Sequence, residues 1–315
     1  MLDLLIWGGI FVVSIFFLVK SSNYFTMAAE KIGFFLGLPA FIIGVTIVAF
    51  GTSLPELISS LFAVQKGYSE IVAANVIGSN ITNIFLILGI AAIVGKKIKL
   101  DFELIRVDLP LLIGSAFLLY ITIIDGIFTF PEAILFLGLI SIYLLYTAST
   151  LKKEKVKKSH KIKKKKKPEI KPFIVLLISS VFIYFSANYT IESLLKISEI
   201  LKIGTEIIAV GAVALGTSLP ELAVSVNAAK KGRSDIAVGN ILGSNIFNTF
   251  AVMGIPALFG NLIITESIIS FALPVMIMAT LLYFFITQDK EINLWEGWLL
   301  LAFYVLFIGK LLNLM

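Results

Sequence analysis

The chain has 315 residues, of which 58% are hydrophobic and only 15% charged. Soluble domains average roughly 45–50% apolar and about 25% charged, so too little charge remains to cover a water-facing surface; a soluble enzyme, a secreted scaffold and a disordered chain are excluded. The net charge of +6 does not point to nucleic acid, because twelve lysines against Glu154 and Glu169 between Leu151 and Lys171 put +10 in one segment and leave about −4 on the rest.

Apolar runs separated by short polar punctuation predict ten helices, near the roughly 20 residues that a bilayer crossing needs. The first starts near Leu4 and runs past Lys20 toward Lys31, with neither a basic leader nor a small-residue cleavage site, so no cleaved signal is expected. The second covers about Leu38 to Val64, interrupted near Gly51 to Pro55, and the third about Ile71 to Val94. The fourth and fifth cover about Leu109 to Ile124 and Pro131 to Thr147. The lysine block at 151–171 follows, read as a loop and a cytoplasmic linker. Beyond it come helices over about Pro172 to Leu201, Thr205 to Ala229 (interrupted near Gly216 to Pro220) and Ile236 to Phe259. The last two cover about Ile268 to Thr287 and Leu294 to Leu312. The chain has no cysteine, and its single histidine, His160, lies in the lysine block, so thiolate or histidine metal clusters and a His-based triad are excluded.

An internal repeat organises these elements. GTSLPEL stands at 51–57 and again at 216–222, and the offset of 165 holds without a gap: Asn75 meets Asn240, Gly78-Ser79-Asn80-Ile81 meets Gly243-Ser244-Asn245-Ile246, Asn83 meets Asn248. From 51 to 89, 21 of 39 positions are identical, and upstream Ser21, Asn23 and Tyr24 match Ser186, Asn188 and Tyr189. Five spans per half is an odd number, so the halves sit upside down relative to each other. Charge agrees with this. The loop after the third helix carries Lys96, Lys97, Lys99 and Arg106 where its mate carries none, and the loop after the seventh carries Lys230, Lys231 and Arg233 where its mate has Lys66 alone. The expected architecture is an all-α integral membrane protein of ten transmembrane helices in two inverted five-helix repeats. The first repeat is 1–150, the linker 151–171 and the second repeat 172–315. The linker is expected to be cytoplasmic and both termini outside, in a multi-pass protein of the plasma membrane.

Two acidic residues lie deep within spans, Glu56 and Glu221, at the same place in each repeat. A carboxylate at the bilayer centre costs at least about 2.5–3.5 kcal/mol, so two of them require cations, protons or polar partners. Each follows Gly-Thr-Ser-Leu-Pro, and a proline clashes with the carbonyl four residues back and cannot donate to it. The helices are therefore expected to break near Gly51-Thr52 and Gly216-Thr217, freeing carbonyl oxygens at membrane depth, which is tolerated where they line a cavity. Thr52 and Glu56 share a helical face, as do Thr217 and Glu221, Ser79 and Asn83, and Ser244 and Asn248. Carbonyl, hydroxyl and carboxylate oxygens suit a hard cation, with Ca²⁺ favoured over Mg²⁺. A charge of −2 is matched by one divalent ion, two monovalent ions or two protons, so one site serves unlike cations. Gly78, Gly89, Gly243 and Gly254 are expected to let helices approach closely; Asn75, Asn80, Asn240 and Asn245 read as structural. Ala74 stands where the second repeat has Gly239, a difference the sequence leaves without explanation.

Two GTSLPE segments, each followed by Gly-Ser-Asn-Ile-x-Asn, in inverted five-helix halves resemble the α-repeats of the calcium/cation antiporter superfamily, and most of all its prokaryotic sodium/calcium exchangers. The resemblance covers nearly the whole chain outside the linker. It implies Na⁺-driven Ca²⁺ antiport by alternating access, with helices 2, 3, 7 and 8 as a fixed core and helices 1 and 6 sliding across it. Carried onto this sequence, it implies Ca²⁺ ligands from the Glu56 and Glu221 carboxylates and the Thr52 and Thr217 carbonyls. It implies Na⁺ sites at Ser53, Ser79, Ser218 and Ser244 with the Ala49 and Ala214 carbonyls, and it places Asn83 and Asn248 toward the centre. Some relatives and the potassium-dependent exchangers carry Asp in place of Asn248, so potassium dependence is not expected. The resemblance implies no cofactor beyond the transported ions; the expected partners are Ca²⁺, Na⁺ and the lipid bilayer, with no nucleic acid, and the protein is expected to act as a monomer and not as an enzyme. The proton/calcium branch has GNA-x-E where this chain has GTSLPE; H⁺/Ca²⁺ exchange by the same glutamates is the alternative, ahead of a channel or a membrane hydrolase.

Overall fold

The computed structural model describes residues 2–65, 67–100, 107–158, 170–201, 216 and 218–311. Its helices, in chain order, are α1 (Leu2–Leu36), α2 (Ala40–Gln65), α3 (Glu70–Gly95), α4 (Asp108–Ile123) and α5 (Phe130–Lys158). They continue with α6 (Lys171–Leu201), α7 (Leu219–Lys230), α8 (Ser234–Ala257), α9 (Ile268–Thr287) and α10 (Leu294–Leu311). Among the described residues, seven helices are long and apolar enough to cross a membrane, and α4 and the Lys171–Ser186 part of α6 are shorter apolar helices. The predicted start of the seventh helix, from Thr205, lies outside the described residues. The first part of the lysine block is helical and not a loop: α5 continues through Leu151–Lys158. Lysine and glutamate are good helix formers, and no glycine or proline interrupts the chain between Gly138 and Pro168.

Burial sorts the helices into a centre and a flank. The most apolar stretch of α8 is 94% buried and that of α3 is 78% buried, against 17% for α1. α1 runs along α6 and touches α7 and the start of α2. Its buried face mixes apolar residues such as Phe25 and Ala29 with a polar row, Ser22, Thr26 and Glu30, one turn apart. Ser22 Oγ donates to Leu18 O at 2.7 Å and Thr26 Oγ1 to Ser22 O at 2.8 Å, so these hydroxyls are satisfied within the helix.

The first half of α2 lies directly against α8. A Cβ at Gly243 would stand 2.5 Å from the Val45 carbonyl oxygen, and one at Gly239 would stand 2.6 Å from the Phe41 carbonyl oxygen. This contact accounts for Gly239 where the first repeat carries Ala74: a methyl there would enter the backbone of α2. Gly254 likewise abuts Leu137 at 3.0 Å, and Gly89 meets the Gly297 carbonyl at 3.1 Å. Gly78 departs from the expectation, since a Cβ there meets nothing within 4 Å among the described residues. Gly243→Val should destabilise the fold by about 1–3 kcal/mol, the usual cost of overpacking. A thermal-unfolding scan of the purified variant with an unchanged midpoint would contradict the close contact.

Two short antiparallel ladders tie loops together. β1 (Lys97–Lys99) pairs with β4 (Glu291–Asn293), and β2 (Ile127–Phe128) pairs with β3 (Leu262–Ile263). Lys97 Nζ lies 2.6 Å from Glu291 Oε2. The hydrogen bond from Lys97 holds the Glu291 carboxyl below its ordinary pKa, but the pair is exposed and adds little to stability.

Candidate ion-binding site

The broken helices set the site. α2 begins as one helical turn, widens into a π-helical turn over Gly44–Val48, returns to α over Ala49–Thr52, and bends at Ser53, where φ is −89° and ψ is 6°. Helix resumes at Leu54 with Glu56 in its first turn. In the second repeat Ser218 stands at nearly the same angles as Ser53, φ −90° and ψ 4°, ahead of α7 with Glu221 in its first turn. In the first repeat the bend falls at Ser53, just after the predicted Gly51-Thr52; the predicted break at Gly216-Thr217 falls partly outside the described residues. The chain still closes one more helical bond, Ser53 N to Ala49 O at 3.0 Å, and Pro55, which has no N–H, cannot donate the next bond back to the Gly51 carbonyl. Each glutamate thus sits at the amino end of a half-helix, where the peptide dipoles favour negative charge.

The halves meet through these residues. Ser53 Oγ, from the first repeat, donates to Glu221 Oε1 of the second at 3.0 Å. The Thr52 and Ser244 hydroxyls lie beside the same carboxyl. Thr52 Oγ1 also donates to Asn240 Oδ1 at 3.2 Å, and lies 3.3 Å from Ala49 O. Asn240 Nδ2 donates to Ser225 Oγ at 2.9 Å; its repeat mate Asn75 donates to Ser60 Oγ at 3.1 Å and to Glu56 O at 3.4 Å. On the other wall, Asn83 lies in a π-helical turn, Thr82–Leu88, and Asn248 opens its counterpart, Asn248–Val252. π turns within α-helices recur at functional sites.

Ala49, Thr52, Ser53, Glu56, Ser79, Asn83, Ser218, Glu221, Ser244 and Asn248 are all buried, with exposures of 0–1%. Thr217 and Ala214 lie outside the described residues. The Ala49 carbonyl already accepts from Ser53 N. Among the described residues, Glu221 Oε2, Ser218 Oγ, Asn83 Oδ1 and Asn248 Oδ1 are buried oxygens without a hydrogen-bond partner. Buried polar atoms are nearly always paired, so oxygens left over in this number suit a cation. The described residues hold no group of three or more His, Cys, Asp or Glu.

Two arrangements were missing from the sequence reading. Asn80 and Asn245 bond across the repeats to Asn248 and Asn83. Glu30 on α1 forms an ion pair with Arg233, and Lys231 donates to Asn23 on the same helix. Sequence pattern could have flagged Glu30 as an acidic residue within the first predicted span, but not its partner.

The sodium/calcium exchanger protein family model matches residues 6–149 and 171–312. The chain is 34% identical to sodium/calcium exchanger MaX1 of Methanosarcina acetivorans, over 95% of this chain and 96% of that protein. It is 31% identical to inner membrane protein YrbG of Escherichia coli, over 81% and 80% of the two chains. It superposes on a solved structure of the sodium-calcium exchanger NCX_Mj with a TM-score of 0.84 and 29% identity, over 97% of this chain and 98% of that one.

Proposed function

The chain belongs to the sodium/calcium exchanger protein family, and from that premise we propose that it is a secondary antiporter exchanging Na⁺ for Ca²⁺ by alternating access. The observation that carries the reading is the pair of buried glutamates, Glu56 and Glu221, each in the first turn of a half-helix, with Glu221 joined to the first repeat through Ser53. Buried charge of −2 is expensive alone and tolerable when matched by one Ca²⁺ or two Na⁺. In this reading Ca²⁺ is held by the two carboxylates with the Thr52 and Thr217 carbonyls. Na⁺ binds beside it at Ser53, Ser79, Ser218 and Ser244 with help from Ala49 and Ala214, while Asn83 and Asn248 complete the centre. No cofactor takes part, and the protein acts as a monomer.

The proposed topology is ten spans in two inverted repeats, with the 151–171 linker inside and both termini outside. The ladders support it. β1 and β3 are repeat mates at the offset of 165, as are β2 and β4, yet β1 pairs with β4 and β2 with β3. α4 separates β1 from β2, so the ladders lie at opposite ends, and β1 carries Lys97 and Lys99 where the second repeat has Leu262 and Ile264. Opposite charge on equivalent segments is what inversion requires.

The test is ⁴⁵Ca²⁺ uptake into proteoliposomes loaded with Na⁺, beside a proton-loaded set and a Glu56→Gln control. Uptake driven by Na⁺ and lost in the control is expected. Uptake driven only by protons would move the protein to H⁺/Ca²⁺ exchange.

A further inference from the structure

We infer that Thr249 and Asn80 are positioning residues for the ion site: a chain of hydrogen bonds across the two repeats turns the amide oxygen of Asn248, and not its NH₂ group, toward the transported cation. The inference rests on the exchange reading above and names residues that reading does not use.

The direction of the chain follows from its end. The Asn245 main-chain carbonyl can only accept, and Asn80 Nδ2 donates to it at 3.4 Å and to Thr249 Oγ1 at 2.9 Å. The nitrogen of the Asn80 amide is therefore fixed on that side, and Oδ1 faces the other way. There it accepts from Asn248 Nδ2 at 3.3 Å. With its nitrogen committed, Asn248 presents Oδ1 in the opposite direction. That oxygen is buried and has no hydrogen-bond partner among the described residues. It belongs to the side chain one turn beyond Ser244, whose hydroxyl lies beside Glu221. An amide oxygen attracts a cation and an amide NH₂ repels it, so the sense of this one side chain decides whether it contributes to binding.

The repeat provides an internal comparison. Asn83 Nδ2 donates to Asn245 Oδ1 at 3.1 Å, which is the mate of the Asn248–Asn80 bond. The mate of Thr249, however, is Ile84, which has no hydroxyl. Asn245 Nδ2 is buried without a partner among the described residues. The positioning chain is anchored by a hydroxyl in one half only, and the Asn248 side of the site is the more firmly oriented.

The experiment compares Thr249→Val with Thr249→Ser, reading half-saturating Ca²⁺ and maximal rate of Na⁺-driven uptake, together with equilibrium ⁴⁵Ca²⁺ binding to the purified protein. Losing one anchoring hydrogen bond should raise half-saturating Ca²⁺ by about threefold to tenfold with the maximal rate little changed, and serine, which keeps the hydroxyl, should restore it. In an Asn248→Asp background either carboxylate oxygen can face the ion, so Thr249→Val should then cost nothing. An equal cost in both backgrounds, or no cost in a wild-type background that transports, would overturn the inference. Thr249→Ala carries the same expectation if the valine variant does not fold. A wild-type protein that binds Ca²⁺ but shows no Na⁺-driven uptake would refute the exchange reading, while the binding arm would still decide the positioning chain.

Discussion

Glu221→Gln is expected to abolish Ca²⁺ transport, by at least about 100-fold, while leaving Na⁺ binding measurable. The first part follows from burial. Removing one member of a buried, mutually compensated set costs about 3–5 kcal/mol, and Glu221 is 0% exposed. The second part follows from charge. A site reduced to −1 would carry a net +1 with Ca²⁺ bound at membrane depth, whereas a single Na⁺ would leave it neutral. Glu56→Gln, at the equivalent place in the other repeat, should behave alike. Ser53→Ala should be milder, about tenfold, because it takes one hydrogen bond from the Glu221 carboxylate. Equilibrium binding of ²²Na⁺ and ⁴⁵Ca²⁺ to the purified variants checks the split. Retained Ca²⁺ binding in Glu221→Gln would mean that the two carboxylates do not share one ion, and loss of both ions together would point to a collapsed site in place of a recharged one.

Helix positions, the paired glutamates and the prolines that break their helices could be read from residue order, because hydropathy and an offset of 165 are properties of order alone. What touches what could not. Ser53 reaching Glu221, Thr52 reaching Asn240 and the bonds among Asn80, Asn83, Asn245 and Asn248 all cross between repeats, and a repeat pattern does not say how its two copies interlock. The π turns at Thr82–Leu88 and Asn248–Val252 leave no mark on apolar periodicity over so few residues. Gly239 is instructive in a different way. Its departure from the repeat has no meaning along the chain and an immediate one in space, where the Phe41 carbonyl occupies the position a side chain would need. The basic residues carried more than one role. Arg233 and Lys231 served the sequence reading as markers of sidedness, and in the fold they also bind α1.

Those two contacts lead to the second large effect. Asn23 and Glu30 stand two turns apart on one face of α1, and they meet Lys231 and Arg233, in the turn between α7 and α8. The corresponding positions of the other repeat are Asn188 and Leu195 against Lys66 and Tyr68, which cannot form the same ion pair. If α1 and α6 slide across the core, the Glu30–Arg233 pair is an ionic latch at one end of the slide, and the residue types at the equivalent positions of the other repeat offer no such pair. Glu30→Gln or Arg233→Gln should remove about 1.5–3 kcal/mol from the latched state, the range for hydrogen bonds to charged groups. The ratio of the two access states should then shift by roughly 10- to 100-fold. Apparent affinity follows the population of the state competent to bind. Half-saturating Ca²⁺ should therefore fall on the side of the 231–233 turn, inside in the proposed topology, and rise on the opposite side. Measured in vesicles of known orientation, such opposed shifts would mark the latch, and the charge-swapped pair Glu30→Arg with Arg233→Glu should bring both values back. Equal shifts on both faces would instead assign the pair to the stability of the fold, and no rescue by the swap would show that the two side chains do not act on each other during transport.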